Sequence, residues 1–156
     1  MKFVFSVFIA ISFLSCQAVD KEGNVVKVID GDTFDVLQGK ERTRIRLFGI
    51  DSPERGQPFN KKAKAFTESL VSGKKVKVVV HNKDRYGRTV ADVYLMDGTH
   101  VNAEIVGAGY AWQYKQYSID PMIAALEAGA RKEQKGLWGD DHAIPPWEFR
   151  HKKVTH

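Results

Sequence analysis

The chain has 156 residues, 43% of them hydrophobic, and a formal charge of +5. That is enough apolar material for one packed domain and too little length for several. Its single cysteine, Cys16, excludes an intrachain disulfide and a thiolate cluster around zinc, while the modest basic excess favours polyanionic partners without demanding them.

In chain order, Lys2 precedes an almost unbroken apolar run from Phe3 to Leu14, followed by Ser15-Cys16-Gln17-Ala18. The run is short for a bilayer span, and a lysine, an apolar stretch and small residues have the layout of a secretory signal over residues 1–18. Two processing routes fit. A signal peptidase could cut after Ala18. Alternatively Cys16 could carry a lipid anchor, because Leu14-Ser15-Cys16 resembles a bacterial lipobox, although Phe13 stands where that motif usually has an aliphatic residue. Both routes predict a secreted, periplasmic or envelope protein whose mature domain spans residues 19–156.

Residues 19–24 are polar and read as disordered. Asn24–Ile29 is β-branched and alternating, which predicts a strand. Asp30-Gly31-Asp32 reads as a tight turn, with Thr33–Leu37 as the return strand. Arg42, Arg44 and Arg46 alternate with Thr43, Ile45 and Leu47, so period two puts the three arginines on one face of a third strand. Ser52-Pro53 ends it. Ala63, Phe66 and Leu70 recur at helical spacing, predicting a helix over 60–71 that stops at Gly73. Val76–Val80 is a fourth strand, Asp84–Gly87 a turn, and Ala91, Val93 and Leu95 mark a fifth strand. Val101, Ile105 and Ala108 suggest a second helix. Asp120-Pro121 starts a third, with the acid as N-cap and proline at the first helical position, an apolar stripe of Met122, Leu126 and Ala130, and Gly136 as its stop. Ile144–Phe149, with two prolines, reads as irregular chain whose aromatics pack on the domain. The whole predicts an α+β, mainly β fold: a small five-stranded barrel with three flanking helices and no second domain, repeat or low-complexity tract.

The chemistry sits at turns and strand ends. Asp30, Asp32, Asp51 and Glu54 fall in two such segments. A lone acid at a turn is usually a turn former, but four acids in two segments that meet would repel one another unless a cation sat among them. Oxygen donors alone point to calcium or magnesium rather than zinc. An EF-hand is excluded: Phe34 and Asp35 occupy positions that need a ligand and a glycine, and the flanks are strands. Arg46, five residues before Asp51, and Arg88 offer the planar forks that meet phosphate. The five histidines have no metal-ligand spacing. Trp112, Tyr114 and Tyr117 form an aromatic cluster; Trp138 and Trp147 read as packing residues, and Arg150, Lys152 and Lys153 as a solvated basic end.

The motifs Ile29-Asp30-Gly31-Asp32-Thr33, Arg46 followed by Asp51-Ser52-Pro53-Glu54, and Asp84-Arg85-Tyr86-Gly87-Arg88 resemble, in this order and on this strand pattern, those of the staphylococcal nuclease (thermonuclease) family. The resemblance runs from about Asn24 to Trp138. It implies an OB-fold barrel with three helices and a calcium-dependent endonuclease acting on DNA and RNA with 3′-phosphate products. It equates Asp32, Asp51 and the backbone carbonyl of Ser52 with the calcium ligands, Asp30 with an outer-shell acid, and Glu54 with the acid that orients or deprotonates water. Arg46 and Arg88 match the pair on the scissile phosphate. Arg85 and a tyrosine, Tyr117 or Tyr114, match residues that bind the rest of the nucleotide; alignment on Gly109 puts Lys115 opposite one family tyrosine. Ser52 replaces a threonine, Arg85 a lysine, and the loop after Glu54 is shorter and less lysine-rich. The rival reading is a non-catalytic OB-fold module that binds nucleic acid or a protein; a surface lipoprotein of adhesin type would explain Cys16 but not the acids and arginines. Nothing in the chain demands a protein partner or more than a monomer.

Overall fold

A computed structural model describes residues 20–154; the apolar leader and Cys16 lie outside the described residues. Five strands form a closed barrel in the order β1-β2-β3-β6-β5, with β1 Asp20–Asp30, β2 Thr33–Gln38, β3 Glu41–Leu47, β5 Lys75–Lys83 and β6 Thr89–Leu95. Every pairing in the barrel is antiparallel except β3 with β6. The small five-stranded barrel expected from the alternating patterns, and the OB-fold that the resemblance implies, are therefore present. Interior positions alternate along the strands, as Thr89, Ala91, Val93 and Leu95 do in β6, because side chains one residue apart face opposite sides of a sheet.

The long β1 strand serves two neighbours. Its first half pairs with β5 from Asp20 to Asn24 and its second half with β2 from Asn24 to Asp30. Two register irregularities, at Val25/Lys27 and Val28/Asp30, bend it as a closed barrel requires. The reading of residues 19–24 as disordered is thus corrected from Asp20 onward: pairing with β5 supplies the order that the polar side chains do not advertise. Gly23 lies where a Cβ would meet Val36 Cγ1 at 2.5 Å and Leu37 O at 2.7 Å.

Among the described residues four α-helices surround the barrel rather than three: α1 Asn60–Val71, α2 Val101–Gly107, α3 Pro121–Lys132 and α4 Pro146–Val154. The bounds of α1 agree with its predicted span. α2 is tied to the barrel by the fully buried Asn102, which accepts from Val93 N (3.1 Å) and donates to Phe48 O (3.0 Å). α3 is capped as expected, Asp120 Oδ1 accepting from Met122 N at 2.8 Å. Its inner face differs by one residue: Ile123 is buried and Met122 is 47% exposed. Gly136 does not end it; α3 stops at Lys132, Gln134 takes the left-handed conformation, and Gly136 opens a short 3-10 turn over Gly136–Gly139. α4 replaces the irregular tail. Pro146 occupies its first position, where a missing N–H costs nothing, so the two prolines start a helix instead of preventing one.

One core fills the barrel and the contact with α1 and α2, with Phe34, Ile45, Leu47, Val93, Ile105 and Val106 among its most buried members. A smaller cluster of Trp112, Ala130, Leu137 and Trp138 packs against Phe59, Ala143 and Trp147. A two-stranded pair of β4, Ile50–Asp51, with β7, Trp112–Gln113, lies between these regions. It presents Asp51 opposite Trp112.

Candidate active site

The site is built where the β1–β2 turn meets the segment after β3. Leu47 N donates to Asp32 O (2.9 Å), and Ser52 N donates to Asp32 Oδ2 (2.7 Å). The second bond ties the two acidic segments directly together. Gly31 allows that approach, since a Cβ there would lie 2.7 Å from Ser52 Oγ and 3.0 Å from Ala63 Cβ. The buried Thr67 of α1 holds the same turn by donating its hydroxyl to Gly31 O at 2.7 Å.

Arg46 sits at the centre. Its Nη1 donates to the carbonyls of Leu47 and Ile50, both at 2.8 Å, and Nη2 reaches Asp51 Oδ1 at 2.8 Å and Asp32 Oδ2 at 3.2 Å. Two carboxylates on one nitrogen must face a common point. Both are buried, so the guanidinium balances charge that little solvent reaches. Arg42 and Arg44, on the same strand face, pair instead with the buried Asp35. The predicted arginine face is real, but only its last member belongs to the site.

A cleft of about 650 Å³ opens over these groups, lined by Asp30, Asp32, Arg46, Asp51, Ser52, Glu54, Arg85, Arg88, Tyr114, Tyr117 and Arg150 among others. All ten residues singled out from the sequence therefore share one cavity. They are not all engaged alike. Arg88 Nε donates to Asp84 Oδ2 at 2.6 Å, and Arg85 Nη2 donates to the Tyr86 hydroxyl at 2.7 Å, so the β5–β6 turn holds both arginines on its own side of the cleft. Tyr117 is 61% exposed and packs edge-on to Tyr114, whereas Trp112 is core.

Residues 44–140, more than half the chain, match the model of the family described as staphylococcal nuclease homologue. The chain belongs to the staphylococcal nuclease family. It is 45% identical over 134 residues to a protein of Escherichia coli O157:H7 called an uncharacterized endonuclease, covering 86% of this chain and 88% of that one. It is 38% identical over 141 residues to a micrococcal nuclease of Shigella flexneri, covering 84% and 81%. A staphylococcal-like nuclease of Arabidopsis thaliana is 41% identical over 113 residues, 72% of this chain but 35% of the plant protein.

In this member of the nuclease family the acids are crowded. Burial, then the charge of Asp32, pushes Asp30 up to about 7. Burial and Asp32 likewise push Asp51 up to about 6, against the opposing pull of Arg46 and Arg150. Burial pulls the Arg46 pKa down, but the charges of Asp32, Asp51 and Asp30 outweigh it and hold it above the usual arginine value. Among the described residues no group of three or more histidine, cysteine, aspartate or glutamate side chains is arranged as a metal cage. Two convergent carboxylates with excess negative charge and only oxygen donors nevertheless suit a hard divalent cation that takes its remaining ligands from backbone and water.

Sequence reasoning missed Arg150. It was expected on a solvated basic end, yet Nη1 donates to Glu54 Oε1 at 2.6 Å and Nη2 to Asp51 Oδ2 at 2.9 Å. It lies 96 residues from Glu54 along the chain, and no periodic pattern spans such a separation. His81 and His100, which have no metal-ligand spacing in sequence, meet on Asp92 at 2.7 and 3.0 Å, a residue that does not line the cleft.

Proposed function

We propose that the chain is a calcium-dependent endonuclease that hydrolyses phosphodiester bonds of DNA and RNA and leaves 3′-phosphate ends. The observation that carries this reading is the convergence of Asp32 and Asp51 on Arg46, with Glu54 beside them and Arg88 across the same cleft. Membership of a family whose relatives are called nucleases supports it.

Asp32, Asp51 and the Ser52 carbonyl would hold calcium, with Asp30 in the outer shell; when bound, the ion supplies charge neutralisation and Lewis-acid polarisation of the phosphoryl oxygen. Glu54 orients the attacking water and accepts its proton. Arg46, rigidly held by two carbonyls, and Arg88, on the opposing turn, stabilise the charge that builds on the five-coordinate phosphorus. Arg85 and the exposed Tyr117, with Tyr114 behind it, bind the neighbouring phosphate and the sugar or base. Export through the apolar leader, with or without a lipid on Cys16, would bring the enzyme to a calcium-rich compartment; the mass of the mature N-terminus distinguishes the two routes.

Purified protein from Val19 onward is expected to cleave single-stranded DNA with calcium and not with excess chelator. Glu54→Gln and Arg46→Ala should each lower kcat by about 100-fold or more. Binding without cleavage across divalent metals would replace this reading with the non-catalytic OB-fold module. Cleavage at the wild-type rate in Glu54→Gln would remove that residue from its role.

A further inference from the structure

Glu54 stands on the irregular segment between β4 and α1, and its side chain is 38% exposed. A glutamate so placed samples several rotamers, yet water activation needs one carboxylate direction. Contacts that reach the far end of the chain hold it. Glu54 N donates to Gln57 Oε1 at 2.9 Å, and Gln57 Nε2 donates to Ile144 O at 2.7 Å. Gln57 is buried, so one amide fastens the backbone of Glu54 to the segment leading into α4. Trp147 stacks on Tyr114 with ring centroids 5.3 Å apart and planes 1° from parallel. Arg150, one turn further along α4, then closes on Glu54 Oε1 at 2.6 Å and Asp51 Oδ2 at 2.9 Å. Three independent contacts thus seat residues 144–150 around one carboxylate.

We propose that α4 is a working part of the active site and that Arg150 is a positioning residue for Glu54. The guanidinium holds the Glu54 carboxylate at a fixed distance from Asp51, so that the groups proposed to bind the cation and to direct water keep their register. The bridge has the geometry for this: one fork, two carboxylates, and a helix docked by an aromatic stack. This rests on the role given to Glu54 above.

The test is a double-mutant cycle. Arg150→Ala should lower kcat by about 10- to 100-fold with KM changed less than about threefold, and Arg150→Lys should recover part of the loss. In a Glu54→Gln background Arg150→Ala should cost almost nothing more, because residues that act through one group are not additive. Added guanidinium at millimolar concentration should restore part of the Arg150→Ala rate and none of the Glu54→Gln rate. Near-ultraviolet circular dichroism identifies a variant that has lost its fold, in which case Arg150→Lys and Arg150→Gln carry the cycle. Additive losses, or a loss confined to KM, would overturn the proposal in favour of direct substrate contact. A gain in rate or in calcium affinity on removing Arg150 would overturn it in favour of a latch that blocks the acids. If the wild-type protein does not cleave at all, the nuclease reading fails first, and chelator-insensitive binding of single-stranded DNA records that outcome separately.

Discussion

At the scale of single residues, the acids of the cleft set an unusual dependence on pH. Asp30 is pushed up to about 7 by burial and by Asp32, whereas an unfolded chain releases that proton near pH 4. Between those values the folded state holds a proton that the unfolded state has lost, so the stability contributed at this site falls as pH rises through the window. Thermal melts in chelator should therefore show Asp30→Asn more stable than wild type at pH 8 and equal to it below pH 4. The gain should be of the order of ten degrees, since a rise from 3.8 to about 7 corresponds to about 4 kcal/mol and about 1 kcal/mol moves the melting temperature of a domain this size by roughly 2–4 °C. A constant difference across the range would mean that the charge of Asp30 is not what the substitution removes. Asp35 behaves in the opposite sense: the hydrogen bond from Arg44 and its companion from Arg42 hold its pKa below the usual range, so its contribution is present above that range and is lost in acid.

At the scale of elements, the site depends on how closely the β1–β2 turn approaches the segment after β4. Gly31→Ala would drive a methyl group to within 2.7 Å of Ser52 Oγ. Overpacking of this kind costs about 1–3 kcal/mol, measurable as a lower urea midpoint, and should also depress cleavage because Asp32 and Ser52 are displaced together. An unchanged midpoint would show that Ser52 and Ala63 both give way to the methyl group. The elements themselves were legible to different degrees. The barrel strands with one buried face showed their alternation, and α1 showed its period. The start of β1 did not, because Asp20–Asn24 is ordered by pairing with Lys75–Val79, a long-range contact with no local mark. β4 and β7 are two residues each, too short for any pattern. In α4 the pair Pro145-Pro146 suggests irregular chain, although proline at a helix start is compatible with the fold. Among site residues, those in short motifs near one another in sequence were found; Arg150, reached only through tertiary packing, was not.

At the scale of the molecule, a barrel whose acids repel one another should gain stability from the ligand it is proposed to hold. A cation bound only by the folded state stabilises by about 2.7 kcal/mol at a hundredfold excess over its Kd, which corresponds to roughly 5–10 °C in melting temperature. Calcium should raise Tm by this order and chelator should reverse it. A Tm indifferent to both would take the cation out of the proposed function while leaving the fold untouched.

Arg150 and Asp51 are 99 residues apart in the chain, and the bridge between them has a consequence in time. Synthesis proceeds from the N-terminus, and domains fold largely in that order. The strands that carry Asp32, Arg46 and Asp51 are complete long before residue 150 has been made. Until then Glu54 and Asp51 lack the guanidinium that α4 brings to both. A chain that ends between Leu95 and Arg150 carries all five barrel strands but not the residue that sets Glu54, so on the role inferred for Arg150 its site is unset and it is no premature enzyme.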